Sequence, residues 1–598
     1  MSSSSNVLIV GGGITGLSLA HYLRKHGNGQ TRIRIVEAAG RLGGWIKTQQ
    51  VDSGAGLIRF ETGPRSLNRI RGRQTLELCD ELGLGDALRP ASASSKQRFI
   101  VGRDGLMQAI PSTPWAMLKS DLTRRMPRWL IRDLICPTPL PNHDLTMDEF
   151  FRSRLGPDAA DLLGSALAAG VYAGQSTKLS VRSCLPSLIQ TTSQHGSLIR
   201  GLIQTSITNP DPASEKSQNW EKIQQRLGRA PMYSFDDGLS SLIGALERHL
   251  KNNIPIQTNL KITRLCPRTL SVETSDGCRD QFDHIFWTGS TRALASVLSP
   301  TDDVVQSLRS SLDRVHYASI ACVTLAWNHE INMVRGFGVL LPSCIDNVPP
   351  ILGITFDSQT FPSQSSQGKT IMTVMIGGDR DPELTQAPDD VLIKLAKRAV
   401  RDLLGVTDQA DFSAVNVARD AIPQFYLGHG DLVQEITTKA CQLHSGFHVL
   451  GTAVSGVAIN DCIRAGYQAS CDLHNNVQDH LTPLDRDTAT NSTASATSPF
   501  VKLISNTGHE FIVDRDVVMA SGAISRMLNG PGQWGETVGP LPTIQFENIS
   551  TATLEKVIQY FYYKARYDQI DADVPIPEFE VKMDYALPLI LSAHFLDC

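Results

Sequence analysis

Residues 6–16 read Asn6-Val7-Leu8-Ile9-Val10-Gly11-Gly12-Gly13-Ile14-Thr15-Gly16, and this stretch decides the fold. The apolar run before the glycines predicts a buried strand over Asn6–Val10. Apolar residues at helical spacing predict a helix over Ile14–His26. A further apolar run predicts a second strand over Arg32–Val36. Strand, glycine turn, helix and strand together form the βαβ unit that opens a Rossmann-like α/β domain.

The three glycines of this GxGxxG pattern suit a phosphate-binding turn. The first permits the tight turn, the second lets the backbone approach a pyrophosphate, and the third lets the helix pack closely on the strand. The first helical residues offer N–H groups and a positive dipole to the phosphates. An acid at the end of the second strand stands where ribose hydroxyls are bound. The predicted dinucleotide site comprises Gly11, Gly13, Ile14, Thr15, Gly16 and Glu37.

A second glycine pair follows in Glu37-Ala38-Ala39-Gly40-Arg41-Leu42-Gly43-Gly44-Trp45. This segment resembles the ExxxRxGG segment of the amine-oxidase-type flavoproteins, which implies FAD, bound non-covalently, and not NAD. Arg41 can lie near the pyrophosphate, while Gly43 and Gly44 let the backbone pass close to the cofactor. Later segments resemble the stretch beside the family's flavin ring and the strand–turn–helix that closes its site. The resemblance adds these cofactor residues: Trp45, Gly63, Pro64, Arg65, Gly451, Val457, Ala458 and Ile459.

Composition excludes several other functions. At 598 residues the chain is too long for one core, and a formal charge of −4 gives no electrostatic reason to expect nucleic-acid binding. The eleven cysteines are scattered without a CxxC pair, which argues against a disulfide framework and a structural zinc site, so we expect no metal. No apolar run reaches the ~18 residues of a transmembrane helix.

Motifs spread over residues 6–472 resemble the eukaryotic protoporphyrinogen oxidase family. Three of them are Gly170-Val171-Tyr172-Ala173-Gly174, Leu179-Ser180-Val181-Arg182-Ser183-Cys184 and Ile422-Pro423-Gln424-Phe425-Tyr426-Leu427-Gly428-His429. The resemblance implies oxidation of protoporphyrinogen IX to protoporphyrin IX. Hydride would pass to the flavin in three two-electron rounds, with dioxygen as acceptor and hydrogen peroxide as by-product.

The implied substrate is large, mostly apolar and carries two propionates, so its pocket needs apolar walls and a cation. Arg98 matches the family arginine that pairs with a propionate. Position 169 is Ala, where some relatives carry a basic residue, which leaves a second anchor there in doubt. No side chain in these motifs stands out as a general base, so the catalytic residue stays unassigned. The wall residues implied by the resemblance are Leu167, Gly170, Phe337, Leu340 and Met375.

The chain is expected to divide into an oxidase region and a separate carboxy-terminal domain. The oxidase region combines a Rossmann-like FAD-binding domain with an α+β substrate domain and a helical, membrane-binding insertion. A Thr-, Ser- and Ala-rich linker, too polar to order itself, precedes the last domain. The expected ranges are 1–92 with 229–292 and 438–478 for FAD, 105–190 for the insertion, 93–104 with 191–228 and 293–437 for the substrate, 479–498 for the linker and 499–598 for the final domain.

Peripheral membrane contact is predicted between Ile110 and Ile135, where aromatic and basic residues interleave. Examples are Trp115, Trp129 and Arg132. Residues 1–36 lack acids and carry serines and arginines, as mitochondrial targeting segments do. Because the nucleotide-binding glycines lie inside this stretch, any such signal must stay uncleaved. We therefore expect the mitochondrial inner membrane.

Residues 499–598 resemble elongin C, which implies a Skp1/BTB-POZ-like α/β fold. The resemblance rests on segments such as Phe500-Val501-Lys502-Leu503-Ile504 and Ala593-His594-Phe595-Leu596-Asp597-Cys598. That family pairs with elongin B and holds a receptor helix in an apolar groove, a nuclear and cytoplasmic role. A true bifunctional chain and a gene model that joins two neighbouring genes both stay open.

Three alternatives to protoporphyrinogen oxidation stay open. An amine or polyamine oxidase shares the fold but usually cages its substrate with aromatic side chains. Ala453, Val454 and Ser455 occupy the closing motif here, with no aromatic before Tyr467. Coproporphyrinogen oxidation is closer, although the eukaryote-type tail argues against it. A third alternative is a binding module, with only the carboxy-terminal domain functional as a ubiquitin-ligase adaptor or transcription elongation factor.

Overall fold

The computed structural model contains two compact units, residues 1–483 and 484–598. The residues that it describes are 5–27, 31–53, 56–69, 72–110, 128–129, 131–134, 141, 143–200, 218–299, 302–345, 348–364, 368–480, 500–506, 509–518, 521, 524, 542–546, 549, 553–554, 557–558 and 560–561.

A five-stranded parallel sheet, here called the nucleotide sheet, forms the centre of the first unit. The predicted strands Asn6–Val10 and Arg32–Val36 and the predicted helix Ile14–His26 are confirmed at those bounds. The apolar side chains of the strand Asn6–Val10 are buried because both faces of the sheet are covered. In spatial order the strands of the nucleotide sheet are Ile256–Gln257, Arg32–Val36, Asn6–Val10, His284–Trp287 and Phe447–Val449.

A mixed seven-stranded sheet, here called the substrate sheet, forms the second layer of this unit. One of its faces is strongly apolar and packs on helices from the 147–172 region. Its two long strands, His316–Trp327 and Phe412–Gln424, pair antiparallel. In spatial order its strands are Phe412–Gln424, His316–Trp327, Thr370–Gly377, Gly353–Thr355, Gly338–Leu340, Arg98–Val101 and Met107–Ile110.

Three smaller sheets and the helices complete the first unit. The sheets pair Thr48–Asp52 with Leu57–Glu61, then Ile262–Cys266 with Ser271–Thr274 and Arg279–Gln281, and Leu67–Asn68 and Leu88–Pro90 with Met232–Phe235. The α-helices after the first are Arg73–Glu81, Met147–Arg154, Pro157–Ala159, Ser165–Tyr172, Val181–Cys184, Pro186–His195, Gln218–Leu227, Ser240–Lys251, Thr291–Val297, Asp303–Asp313, Asp357–Thr360, Asp389–Leu404, His429–Leu443, Thr452–Ser455 and Ile459–His480.

At two places a segment packs in a different domain from the one expected from the sequence. The strand Met107–Ile110 pairs with Arg98–Val101, so the substrate sheet continues past the expected boundary at 105. The helix Gln218–Leu227, expected in the substrate domain, buries Ile223 and Leu227 in the core around the nucleotide sheet. In both places the hydrophobic face of the segment, and not its position in the chain, decides which layer it joins.

Most of the segment expected to contact a membrane lies outside the described residues. Within its described part, Trp129 is buried in the core of the insertion, while Ile131 is 51% exposed. Trp129 therefore does not belong to the expected amphipathic surface. Asp133 is fully buried and accepts hydrogen bonds from the hydroxyl of Ser197 and the N–H of Ile199, which ties this helical segment to the following chain. Among the described helices, none is both long and apolar enough to cross a bilayer.

The second unit contains a small sheet with its own apolar core. In spatial order its strands are Glu510–Asp514, Phe500–Ile504 and Thr543–Gln545, and the helix Arg515–Val518 follows the first of them. Val501, Leu503 and Phe561 are among the fully buried residues of this core. The predicted linker at 479–498 lies outside the described residues from 481 onward, as does the chain from 562 to 598.

Candidate active site

Three glycines shape the turn between the first strand and the first helix. Gly11 adopts φ +115°, and a methyl group there would lie 2.6 Å from Oγ1 of Thr288. A methyl group at Gly16 would collide with the carbonyl oxygen of Gly11, so helix and strand touch through backbone atoms. Gly13 differs because a methyl group there would meet no atom within 4 Å. The turn is therefore closed on its inner side and open in front of the helix.

The helix Ile14–His26 begins at this open side without a side-chain cap. Gly13 is the N-cap residue in extended conformation, and no hydroxyl or carboxylate bonds to the first-turn N–H groups. The first turn of a helix has N–H groups without intrahelical partners, and together with the macrodipole they form a site for an anion. Ile14, Thr15 and Gly16 occupy that first turn, as predicted from the sequence.

The second glycine loop lies directly against the first. The N–H of Gly43 donates to the carbonyl oxygen of Gly12 at 2.8 Å, and a methyl group at Gly44 would lie 3.4 Å from Cα of Gly13. Both residues have positive φ, at +99° and +56°, which favours glycine. The next backbone segment follows closely, because a methyl group at Gly63 would collide with the carbonyl oxygen of Trp45. We call residues 11–16, 42–46 and 63 the glycine cradle.

Two charged residues hold the cradle in place. Glu37 accepts the N–H of Gly12 through Oε2 and that of Ala39 through Oε1, both at 2.7 Å. Arg41 donates to the carbonyl oxygens of Leu42 at 3.0 Å and Ile46 at 3.2 Å, and also to that of Gly44. In this arrangement Arg41 braces the second glycine loop, so its predicted place near the pyrophosphate stays a prediction.

The closing motif returns the chain to the cradle. Gly451 has φ +106°, and a methyl group there would lie 3.0 Å from the carbonyl oxygen of Thr288, the residue that also contacts Gly11. His429 donates through Nε2 to the carbonyl oxygen of Ala453 at 2.9 Å and stacks on Phe425.

The closing motif contains two helices. A short helix, Thr452–Ser455, comes first, and the long helix Ile459–His480 follows Val457 and Ala458. Of the predicted flavin contacts, Ala458 is exposed and Ile459 is buried.

These residues fit FAD. The uncapped helix N-terminus would hold the pyrophosphate, Glu37 would bind the ribose, and the backbone at Gly13 and Gly44 would face the cofactor. The open space in front of Gly13 carries this conclusion, because a side chain there would block the phosphates. When bound, the flavin supplies the two-electron acceptor.

Two of the predicted wall residues, Leu340 and Met375, lie on one face of the substrate sheet. Across neighbouring strands Met375 pairs with Gly353, and Gly353 with Leu340, so their side chains share a face. The helix Ser165–Tyr172 lies on this row, since a methyl group at Gly170 would be 2.7 Å from Cδ2 of Leu340. Leu167, on the same helix, is half-buried.

Arg98 stands at the edge of this apolar row. Its side chain is exposed, and its guanidinium carbon lies 5.5 Å above the ring centroid of Phe337. The strand Arg98–Val101 pairs in parallel with the strand that carries Leu340. A cation is thus held beside apolar side chains, which is the combination that a hydrophobic carboxylate ligand requires. Ala169 is buried, so it offers no second anchor there.

Two acids that the sequence did not single out lie below Phe337. A small cavity of about 20 Å³ is lined by Glu61, Arg65, Asp357, Phe337 and other residues. Nε of Arg65 lies 3.4 Å from Oδ1 of Asp357. Burial raises the pKa of Glu61 to about 7, and burial also raises the pKa of Asp357. Glu61 lies two residues before the predicted cofactor residue Gly63, but a lone acid before a glycine gives no sign of its burial.

Known proteins identify the class to which this site belongs. The family model for flavin containing amine oxidoreductase matches residues 14–474, so the chain belongs to that family. A crystal structure from Exiguobacterium sp. 255-15 has the same fold, with a TM-score of 0.65 and 22% identity over 79% of this chain and 99% of that one.

Sequence similarity narrows the class to the protoporphyrinogen oxidase family. The chain is 32% identical to protoporphyrinogen oxidase of Bos taurus over 486 residues, which cover 78% of this chain and 97% of the relative. Coproporphyrinogen III oxidase of Bacillus subtilis is 27% identical over 481 residues, which cover 97% of that protein. The chain is therefore an FAD-dependent oxidoreductase, and its reaction class is the flavin-dependent oxidation of a porphyrinogen. In the carboxy-terminal unit, residues 499–566 match the family model for the tetramerisation domain of the Skp1 family.

Proposed function

We propose that the first unit oxidises protoporphyrinogen IX to protoporphyrin IX. The observation that carries this proposal is Arg98, an exposed cation over Phe337 at the edge of the Leu340–Met375 row. An apolar wall of this kind suits a flat macrocycle whose polar groups are confined to its propionates. A substrate with four propionates would place more charge against the same apolar wall, at a cost in desolvation. The wall therefore favours a substrate with two propionates.

The test is anaerobic reduction of the flavin by three substrates. Protoporphyrinogen should reduce the flavin fastest, coproporphyrinogen more slowly, and a polyamine not at all. Faster reduction by coproporphyrinogen would reverse the assignment of substrate. A polyamine that reduces the flavin at a comparable rate would reject porphyrinogen specificity altogether.

We further propose dioxygen as the final acceptor, with hydrogen peroxide as the product. The family resemblance supports this acceptor. Three two-electron rounds make an aromatic porphyrin, so about three peroxide molecules should form for each protoporphyrin. Peroxide measured with an electrode, together with porphyrin fluorescence, checks this ratio. Product formation without peroxide would point to another electron acceptor.

Peripheral contact with the mitochondrial inner membrane is proposed for the region between Ile110 and Ile135. Ile131 and Arg132 are exposed neighbours, an apolar and a basic side chain together. Co-sedimentation with vesicles that contain anionic lipid should exceed that with neutral vesicles, and Ile131→Ser should weaken it. Location in another compartment, seen by fractionation of cells, would reject the proposed uncleaved targeting signal.

For the carboxy-terminal unit we propose an elongin C-like adaptor role, with elongin B and a receptor helix as partners of residues 499–598. The support is the match to the Skp1 family together with a core of its own around Val501, Leu503 and Phe561. Purified elongin B should bind the full chain but not a chain ending at 498. A denaturing blot that shows two shorter polypeptides in place of one would indicate a joined gene model.

A further inference from the structure

A small cavity that contains charged side chains borders the predicted flavin segment and the predicted substrate wall. Phe337, beneath Arg98, forms one side, and Arg65, two residues after Gly63 of the cradle, forms another. Its volume of about 20 Å³ suffices for one water molecule. The cavity therefore borders both predicted binding regions.

The charged groups of this cavity are unusual for a protein interior. Glu61 is 6% exposed, and its Oε1 accepts the N–H of Leu239 at 2.7 Å. The hydroxyl of Thr48 lies 3.0 Å from both carboxylate oxygens of Glu61. Asp357 accepts the hydroxyl of Thr355 at 2.8 Å.

Two guanidinium groups line the cavity, and Arg59 is paired with Asp237, which leaves Arg65 to balance the two acids. Arg65 pairs with Asp357, and its Nη2 is buried without a hydrogen-bond partner among the described residues. Burial lowers the pKa of Arg65, but Asp357, Cys322 and Glu61 together raise it, and the net direction is upward. Arg65 thus stays charged and balances one carboxylate. The remaining acid, Glu61, is left to exchange a proton, since two buried carboxylates cannot both stay ionised beside one cation without cost.

We infer that Glu61 is the proton acceptor of porphyrinogen oxidation, with the Arg65–Asp357 pair as its positioning partner. This inference rests on the proposed function. Each round removes a hydride from a carbon that bridges two pyrroles and a proton from a pyrrole nitrogen. The N–H bond breaks, its electron pair stays in the ring as a C=N bond, and an O–H bond forms on Glu61 through a water in the cavity. Three rounds remove three C–H and three N–H hydrogens, so one proton shift from the fourth bridging carbon to a nitrogen completes the porphyrin with its two N–H groups.

Two further polar side chains line the cavity. Gln364 lines the cavity and donates to the hydroxyl of Ser234 at 2.9 Å. Arg59 lines it too and pairs at 2.8 Å with Asp237, whose side chain is 77% exposed. Polar side chains thus extend from the cavity to the exposed carboxylate of Asp237. Release of the proton to solvent between rounds would return Glu61 to its ionised form.

The first test replaces Glu61 and follows flavin reduction by protoporphyrinogen without oxygen. In the wild type the rate constant should rise with pH through about 7, because the ionised carboxylate accepts the proton. Glu61→Gln should lower it about 100-fold and abolish this rise, with flavin content unchanged. The matched control is Glu273→Gln, an acid paired with Arg279 on a distant strand, which should keep the wild-type profile. A wild-type rate and profile in Glu61→Gln would overturn the inference.

A second test needs neither turnover nor a stable Glu61→Gln variant. Infrared difference spectra should show a buried carboxylic-acid band that titrates near pH 7 in the wild type. Thr48→Val removes a hydrogen bond that stabilises the carboxylate, so the band and the pH profile should both move to higher pH. A band that does not move overturns the assignment to Glu61. If wild-type flavin is not reduced by any porphyrinogen, the proposed function fails, whereas the infrared test still decides whether Glu61 titrates.

Discussion

In the glycine cradle backbone atoms form the site and side chains are excluded, whereas on the substrate sheet the side chains themselves form it. At Gly16 and Gly63 a single methyl group would collide with a carbonyl oxygen. The row that contains Leu340 and Met375 instead depends on which residues meet across strands far apart in the chain. Gly16 and Gly63 should therefore tolerate no added methyl group, while the sheet should respond in graded steps.

The largest effect should come from the cradle itself. Gly16→Ala places a methyl group against the carbonyl oxygen of Gly11, where neither backbone segment can move away. We therefore expect the free energy of unfolding to fall by about 3 kcal/mol or more. Unfolding in urea and flavin absorption measure this loss. Gly13→Ala is the matched control, because its methyl group would meet no protein atom within 4 Å.

Gly13→Ala should keep the stability of the flavin-free protein and weaken only flavin binding. The variant should lose one or two hydrogen bonds to the pyrophosphate, each of which contributes about 1.5–3 kcal/mol. The dissociation constant of the flavin should therefore rise at least about tenfold. Equal flavin affinity in wild type and Gly13→Ala would mean that the pyrophosphate does not lie in front of this helix.

The substrate sheet should show a smaller, selective effect. Arg98→Ala should raise the dissociation constant for the porphyrinogen about 10- to 100-fold, the range for one charge-assisted hydrogen bond, while flavin affinity stays unchanged. Titration calorimetry with protoporphyrin as a stable ligand measures this. The control is Arg103→Ala, an exposed arginine near the same strand that pairs with Asp158 and Asp161. A larger loss of flavin than of porphyrin would remove Arg98 from the substrate role.

The stability of the protein should depend on pH through a histidine that is buried in the nucleotide sheet. Burial lowers the pKa of His448 to about 4, and its ring stacks on Phe286. The unfolded chain then binds the proton more readily, so stability should be full above about pH 6.5 and fall toward pH 4.

Urea midpoints at pH 5 and 7 measure this pH dependence. His448→Leu should reduce the difference between the two midpoints, whereas His329→Leu, at a residue with a 55% exposed side chain, should leave it unchanged. The same difference in all three proteins would contradict the assignment to His448.

The smallest effect should follow removal of the second unit. A chain ending at 498 keeps every residue of the cradle and the substrate sheet, so flavin content and porphyrinogen turnover should stay within about twofold of wild type. Turnover by the purified truncation, compared with the full chain, measures this. Loss of turnover in a stable truncation would show that the two units are coupled.

The sequence alone determined the parts of this protein whose contacts are local. Ile14–His26 and the strands beside it formed at their predicted bounds, because a glycine turn and apolar periodicity act over neighbouring residues. Only the tertiary structure decided that Trp129 is buried, that Thr288 contacts both Gly11 and Gly451, and that Glu61 shares a cavity with Asp357. Burial and electrostatic coupling between distant residues depend on how the strands pair, and a lone acid, tryptophan or threonine carries no local sign of its partners.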